Sequence, residues 1–449
     1  MSDPPSRLVC SGCGSSPAPD EPYPFRCAEH ATGDVDHVVT RVLEAASVRF
    51  PVPEDGEGNP FVRYRGLLHS YHRAVAGGVS DGEFVSLVRR IDEEIAAVDG
   101  HGFAVTPLER SEVLSKRLGF SAGGGVWVKD ETGNVSGSHK ARHLMGVLLH
   151  LEVAEMLGLA DRRGRPDLAI ASCGNAALAA AVVAAAGKRR LRVFVPVDAD
   201  ARILKRLEAL GAEVTVCPRE PGVAGDPTYA RLLEELEKGA LPFTCQGNLN
   251  GLAIEGGETL GYEVVSGLAA AGVELDDLVV QVGGGALASS CAQSLSEAAT
   301  LGALPRPPRV HTVQTAGAHP LERAYRKVNA ELPASPSAGQ VDRALHHAAT
   351  HRSEYMWAWE SEPKSVATGI LDDETYDWLA VLRGMLTTGG RPVIAGEGQL
   401  VEAHTLGREA GYLVDPTGSS GLAALIDLRA SGLVGPAGRA AVLFTGRER

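Results

Sequence analysis

From about residue 100 onward the chain alternates short, almost uninterrupted apolar runs with helical stretches. The runs read "VWVKDE", "LAIAS", "LRVFVPV", "EVTVC", "DLVVQVGGG", "RVHTVQT", "RPVIAG" and "AAVLFTG". Between the central ones lie "ARILKRLEALG", "LLEELEKG" and "SSCAQSLSEAA". Strands that are apolar on both faces and joined through helices predict parallel sheet covered on both sides, because a parallel connection needs a crossover and a helix supplies it. The fold class is therefore α/β. Upstream, residues 36–100 predict a largely helical region, with the apolar residues of "DGEFVSLVRRIDEEIAAV" spaced near 3.6. Residues 303–340, which include "LPRPPR" and "ELPASPSAGQ", predict irregular loops.

The stretch Leu168–Gly187, "LAIASCGNAALAAAVVAAAG", carries no charge and is long enough to cross a bilayer. Its Ser-Cys-Gly-Asn interruption, and the fresh strand "RVFVPV" that follows, predict a buried strand, a tight turn and a buried helix instead. The net charge of −13, with basic residues scattered, argues against a nucleic-acid or anionic-membrane surface. The opening "MSDPPSRLVC" has no basic region followed by an apolar run. The expectation is a cytoplasmic protein. The seven cysteines form no even disulfide framework.

Three of those cysteines cluster near the start. Cys10-x2-Cys13 and Cys27-x2-His30 make two knuckles of the kind that hold a tetrahedral zinc ion in a small unit with little core of its own. Residues 1–35 are accordingly read as a zinc-ribbon-like unit without catalytic function.

Three further motifs carry chemistry. Lys140 follows the loop "TGNVSGSH" and opens the helical run "KARHLMGVLLHLEVAEML". The positive end of a helix dipole disfavours an ammonium there, and a neutral amine is what Schiff-base chemistry requires. Ser172-Cys173-Gly174-Asn175 joins a strand to a helix, where free amides hold a carboxylate or phosphate; the same residues also suit a plain capped turn. Gly283-Gly284-Gly285-Ala286 stands between a strand and a helix and lets the backbone approach an anion closely, without the Walker lysine or a dinucleotide fingerprint.

In this order, with Thr445 of "LFTGRER" ending the last strand, the motifs resemble those of fold-type II pyridoxal-phosphate enzymes, the threonine synthase branch most closely. The resemblance runs from "VTPLER" (Val105–Arg110) to the end of the sequence, and the cysteine knuckles look like those heading many threonine synthases. It implies two α/β domains with pyridoxal 5'-phosphate between them: a large one of residues 36–139 plus 246–449 and a small, mobile one of 140–245. It also implies a homodimer and an amino-acid substrate. Carried over by position, Lys140 binds the cofactor as a Schiff base, Asn175 contacts its phenolic oxygen, and Gly283, Gly284, Gly285 and Ala286 cradle its phosphate. Thr445 faces the pyridine nitrogen, with Ser419 of "DPTGSSG" a weaker candidate. Ser172, Cys173 and Gly174 hold the substrate carboxylate.

The chain departs from the threonine synthase pattern at telling places. Ser138-His139-Lys140-Ala141-Arg142 stands where a Ser-Phe-Lys-Asp-Arg pattern is usual. In "NGLAIEGGET", Ala253 replaces an arginine and Glu258 a lysine that help bind the substrate phosphate. Losing one cation and reversing another weakens binding of a dianion. The expectation is therefore elimination or replacement on a neutral or differently decorated amino acid, of the ammonia-lyase or β-replacement type. Within it, His139 and His143 either reach the substrate side chain or serve structure. The alternatives are a threonine synthase acting on O-phosphohomoserine through Arg63, Arg65 and Arg142, and a non-catalytic regulator that binds cofactor or amino acid.

Overall fold

Apolar runs become strands wherever both faces are covered. The computed structural model describes residues 4–51, 57–219 and 226–449. The strands are β1 (Ser6–Cys10), β2 (Val39–Leu43), β3 (Leu108–Ser111), β4 (Gly125–Asp130), β5 (Leu168–Ala171), β6 (Leu191–Val195), β7 (Glu213–Val216), β8 (Leu241–Pro242), β9 (Asp277–Gln281), β10 (Arg309–Thr315), β11 (Pro392–Ala395) and β12 (Arg439–Phe444). Six form one sheet in the order β11-β10-β9-β12-β4-β3, and four form a second in the order β7-β6-β5-β8. Every pairing in both sheets is parallel except β3 with β4. All of β9 and all but the first residue of β12 are buried, which is why neither sequence alternates. The chain is thus α/β with two open sheets, and every strand of the smaller sheet falls within residues 140–245.

The uncharged stretch at Leu168 resolves into β5, a turn and the helix Asn175–Ala186, whose Ala177–Ala184 segment is wholly buried. No helix of the described residues is long and apolar enough to cross a membrane. The span 303–340, expected to be irregular apart from its one strand run, also contains a helix, Pro320–Ala330. Its proline occupies the first turn, where the missing N–H has no intrahelical partner to lose.

At the N-terminus β1 and β2 pair antiparallel with Cys10 opposite Val39, so the pairing extends past residue 35. The helix Lys140–Met156 is buried along nearly its whole length and packs on the helix Ala253–Ala271, where a side chain on Gly256 would collide with the Arg142 carbonyl. An ion network with no exposed side chain anchors its first turn. Arg142 reaches Glu131 at 2.8 Å and Glu263 at 2.6 Å, and Lys129 reaches Glu263 at 2.5 Å. Two cations balance two carboxylates, which is the condition for such charges to persist without water.

Candidate active site

In open α/β sheets ligands bind outside the carboxyl ends of the strands. Here β9, β12 and β4 are neighbours, and each ends at a predicted site residue or its loop. β9 runs into Gly283, β12 into Thr445, and β4 into the loop that leads to Lys140; from the other sheet, β5 runs into Ser172. The backbone stitches these ends together. His139 N–H donates to the Thr445 carbonyl at 3.1 Å, and Ser138 bridges Gly446. Asn175 lies so near Gly446 that a β-carbon on the glycine would come 2.6 Å from Asn175 Nδ2.

Lys140 is the first residue of its helix and is half-buried. Its charge is felt by His139, His143, Cys245, Asp372 and Asp377, which places all five around it. Burial, reinforced by Lys140, holds His139 well below the ordinary histidine range and His143 down to about 3, so both rings are neutral. Each neutral ring must donate from the nitrogen that meets a carbonyl. His139 Nδ1 lies 3.2 Å from the Thr445 carbonyl and His143 Nδ1 2.8 Å from that of Ala253. Both Nε2 atoms are therefore bare acceptors, buried and without a protein partner. The two rings meet edge to face at 5.7 Å.

Thr445 is buried, and Gln281 Nε2 donates to its hydroxyl at 2.7 Å. The same amide nitrogen faces the carbonyls of Gly418 at 2.9 Å and Leu443 at 3.1 Å, which fixes its orientation. Ser419 does not compete for this place: its hydroxyl is turned back onto the carbonyls of Asp415 and Pro416. Asn175 Nδ2 donates to Asp415 at 3.4 Å, and Arg449 donates to Asn175 Oδ1. In the turn before it, Gly174 N–H lies 3.4 Å from Ser172 Oγ, and Ser172, Cys173 and Gly174 are all half-buried.

The glycine loop precedes the helix Ala286–Thr300, with Gly285 at a φ of +100° that favours glycine. A side chain on Gly283 would collide with the Asp372 carboxylate, and one on Gly284 would come 2.8 Å from the Tyr376 ring. Asp377 closes the other side, accepting from Gly247 N–H at 3.3 Å and donating its own N–H to the Gly284 carbonyl at 3.0 Å. Burial raises Asp372 to about 6 and Asp377 to about 7. Neither carboxyl was among the residues the sequence singled out. Gln281 was equally illegible, since one polar residue ending an apolar strand carries no signal of its own.

A half-buried amine, a glycine loop opening a helix, and a hydroxyl held at a neighbouring strand end suit an aldehyde cofactor that carries a phosphate and a ring nitrogen. The family model for pyridoxal-phosphate dependent enzymes matches residues 101–446. The chain belongs to that family.

Among its relatives, threonine synthase of Methanocaldococcus jannaschii is 24% identical over 345 residues, covering 76% of this chain and 74% of that protein. Of the solved structures, maize serine racemase superposes with a TM-score of 0.57 at 17% identity, covering 81% of this chain and 93% of that one. Diaminopropionate ammonia lyase from Escherichia coli does so with 0.59 at 16% identity, covering 81% and 88%. The fold is that of the fold-type II pyridoxal-phosphate enzymes.

Two of the three cations set aside for a substrate phosphate are committed elsewhere. Arg142 serves the buried network, and Arg65 reaches Asp81 at 2.6 Å. Glu258 pairs with Arg41, which also reaches Glu297 and Tyr262.

The metal-type cluster contains Cys10, Cys13 and Cys27, but its fourth member is His37 and not His30. His30 is exposed and turns its Nδ1 back to the Cys27 carbonyl at 3.0 Å. His37 is buried two residues before Val39, whose pairing with Cys10 brings His37 Nδ1 to 3.6 Å from Cys10 Sγ. Its Nε2 meets the Thr32 carbonyl at 3.1 Å, the orienting contact that a metal-bound imidazole needs. The spacing signal pointed to the nearer histidine because it carries no information on strand pairing.

Proposed function

We propose that this protein is a pyridoxal-phosphate-dependent enzyme that eliminates or replaces a side-chain group of an amino acid, by ammonia-lyase or β-replacement chemistry. The Gln281–Thr445 contact carries the reading. Gln281 Nε2 can only donate, so Thr445 Oγ1 accepts from it at 2.7 Å and keeps its own proton for another acceptor. A hydroxyl that donates to a pyridine nitrogen leaves that nitrogen unprotonated, where a carboxylate would hold a proton on it. When bound, pyridoxal phosphate supplies the electron sink for charge developing at the substrate Cα. With a neutral ring nitrogen that charge stays closer to Cα, which favours expulsion of a neighbouring leaving group over transamination.

Lys140 holds the cofactor and, once displaced by substrate, takes the Cα proton. Asn175 meets the phenolic oxygen, and Gly283–Ala286 meet the phosphate. Ser172, Cys173 and Gly174 bind the substrate carboxylate, and closure of residues 140–245 over it excludes water. His139, neutral and presenting a bare Nε2, accepts a hydrogen bond from the substrate side chain. Cys10, Cys13, Cys27 and His37 hold a structural zinc ion, and the enzyme works as a homodimer.

A threonine synthase reading is favoured by the likeness to the Methanocaldococcus jannaschii protein. Against it stands the commitment of Arg142 and Glu258 to buried ion pairs. One experiment separates the two: the near-visible spectrum of the purified protein, titrated with serine, threonine, homoserine and O-phosphohomoserine. A band that shifts with serine or threonine supports a lyase or replacement enzyme. A shift with phosphohomoserine accompanied by phosphate release supports the synthase. Absence of any band after adding cofactor, or borohydride labelling at a lysine other than Lys140, overturns the assignment.

A further inference from the structure

The segment Ile370–Asp377 folds directly over the glycine loop. The Asp372 carboxylate lies against Gly283, with its Oδ1 3.5 Å from where a β-carbon on Gly284 would stand, and the Gly284 amide donates to it. The Tyr376 ring covers Gly284, and Thr375 comes within 3.0 Å of a β-carbon on Gly285. Tyr376 in turn stacks at 6.2 Å on Tyr229, from a helix that accompanies the smaller sheet. The loop amides, at the start of a 15-residue helix, attract negative charge, and Asp372 is the negative group lying there. A phosphate brought to the same amides meets that carboxylate at contact range, where two desolvated like charges repel strongly.

Resting on the cofactor assignment above, we propose that Asp372 is part of the cofactor's phosphate site, opposing the phosphate as a carboxylate and donating a hydrogen bond to it as a carboxylic acid. Cofactor binding then takes up a proton at Asp372. The groups that face this carboxyl are Lys140 from its helix and Asp373 and Tyr376 from its own segment; the glycine loop contributes backbone only. Burial outweighs the pull of Lys140 and holds the carboxyl at about 6, so the exchange falls close to neutrality. An acid whose proton helps binding gives an affinity that declines as pH rises through that range.

The test is titration of cofactor-free protein with pyridoxal phosphate from pH 5.5 to 8.5, followed by absorbance, in wild type, Asp372→Asn and Asp373→Asn. Pyridoxal, which lacks the phosphate, is the second ligand. The cofactor's own phosphate also titrates, so the readout is the difference between proteins. Asp372→Asn is expected to bind pyridoxal phosphate about tenfold more tightly than wild type at pH 8.5, with the gap closing at pH 5.5. Asp373→Asn is expected to follow wild type, and pyridoxal to show no gap. Parallel profiles for wild type and Asp372→Asn, or an equal gap with pyridoxal, overturn the proposal while leaving the cofactor assignment standing. Failure of every protein to bind pyridoxal phosphate overturns both.

Discussion

Gln281 reaches across from the end of β9 to hold the hydroxyl of Thr445 at the end of β12, 2.7 Å away. The two strands pair in parallel, so residues at matching ends become neighbours although 164 positions separate them in sequence. Gln281 also covers the carbonyls of Gly418 and Leu443. Replacing it with leucine leaves those buried acceptors and the Thr445 hydroxyl without their donor, and is expected to cost about 1–3 kcal/mol in urea unfolding. Thr445→Asp tests the chemistry instead. A carboxylate facing the ring nitrogen is expected to raise the transamination side reaction, measured as pyridoxamine phosphate formed per turnover. An unchanged ratio would contradict the role given to Thr445.

Arg142 stands between Glu131 and Glu263 in a network closed to water, two residues after Lys140. Arg142→Met strands one of two carboxylates and is expected to destabilise the fold by about 3–5 kcal/mol. A synthase that used Arg142 for substrate phosphate would instead lose affinity with its stability preserved.

Acid should unfold the protein early. Burial holds His69 and His143 at about 3 and His72 and His150 at about 4, with His139 also well below its ordinary range. These groups are depressed bases, so the unfolded chain takes up their protons first, near pH 6.5, while the native state stays neutral. Stability is expected to fall as pH drops from about 6.5 toward 4. His143→Gln should flatten part of that decline in denaturant midpoints measured across the range.

Metal analysis can separate the two histidines of the N-terminal unit. After reconstitution with zinc, His30→Ala is expected to keep one ion per chain by elemental analysis, and His37→Ala or Cys27→Ser to lose it. Zinc retained in His37→Ala but lost in His30→Ala would restore the pairing suggested by sequence spacing.

The buried carboxyl of Asp377, raised to about 7 through burial, works in the opposite sense to the histidines. The unfolded chain releases this proton near pH 4 while the folded protein keeps it up to about 7, so stability falls between those values and the cost is complete above about 7. Asp377→Asn keeps an acceptor for the Gly247 amide and is expected to raise the melting temperature more at pH 8.5 than at pH 5.

Much of the molecule was legible in one dimension. Uninterrupted apolar strands spaced by helices determine a parallel α/β architecture, because few other packings bury both faces of so many strands. Lys140 at a helix start, the Ser172–Asn175 turn, the Gly283–Gly285 loop and Thr445 at a strand end are local features, each set by a few adjacent residues. Strand order, however, depends on which edges meet across hundreds of positions, and only the tertiary structure brought β9, β12 and β4 side by side. That ordering chose Gln281 as the partner of Thr445 and turned Ser419 away. Tertiary packing also laid Asp372 over the glycine loop, and the pairing of β1 with β2 gave His37, not His30, to the cysteine cluster. Periodicity and spacing describe what one segment can become; which side chains share a desolvated space is decided by packing between segments, where charges and hydrogen bonds are satisfied together or not at all.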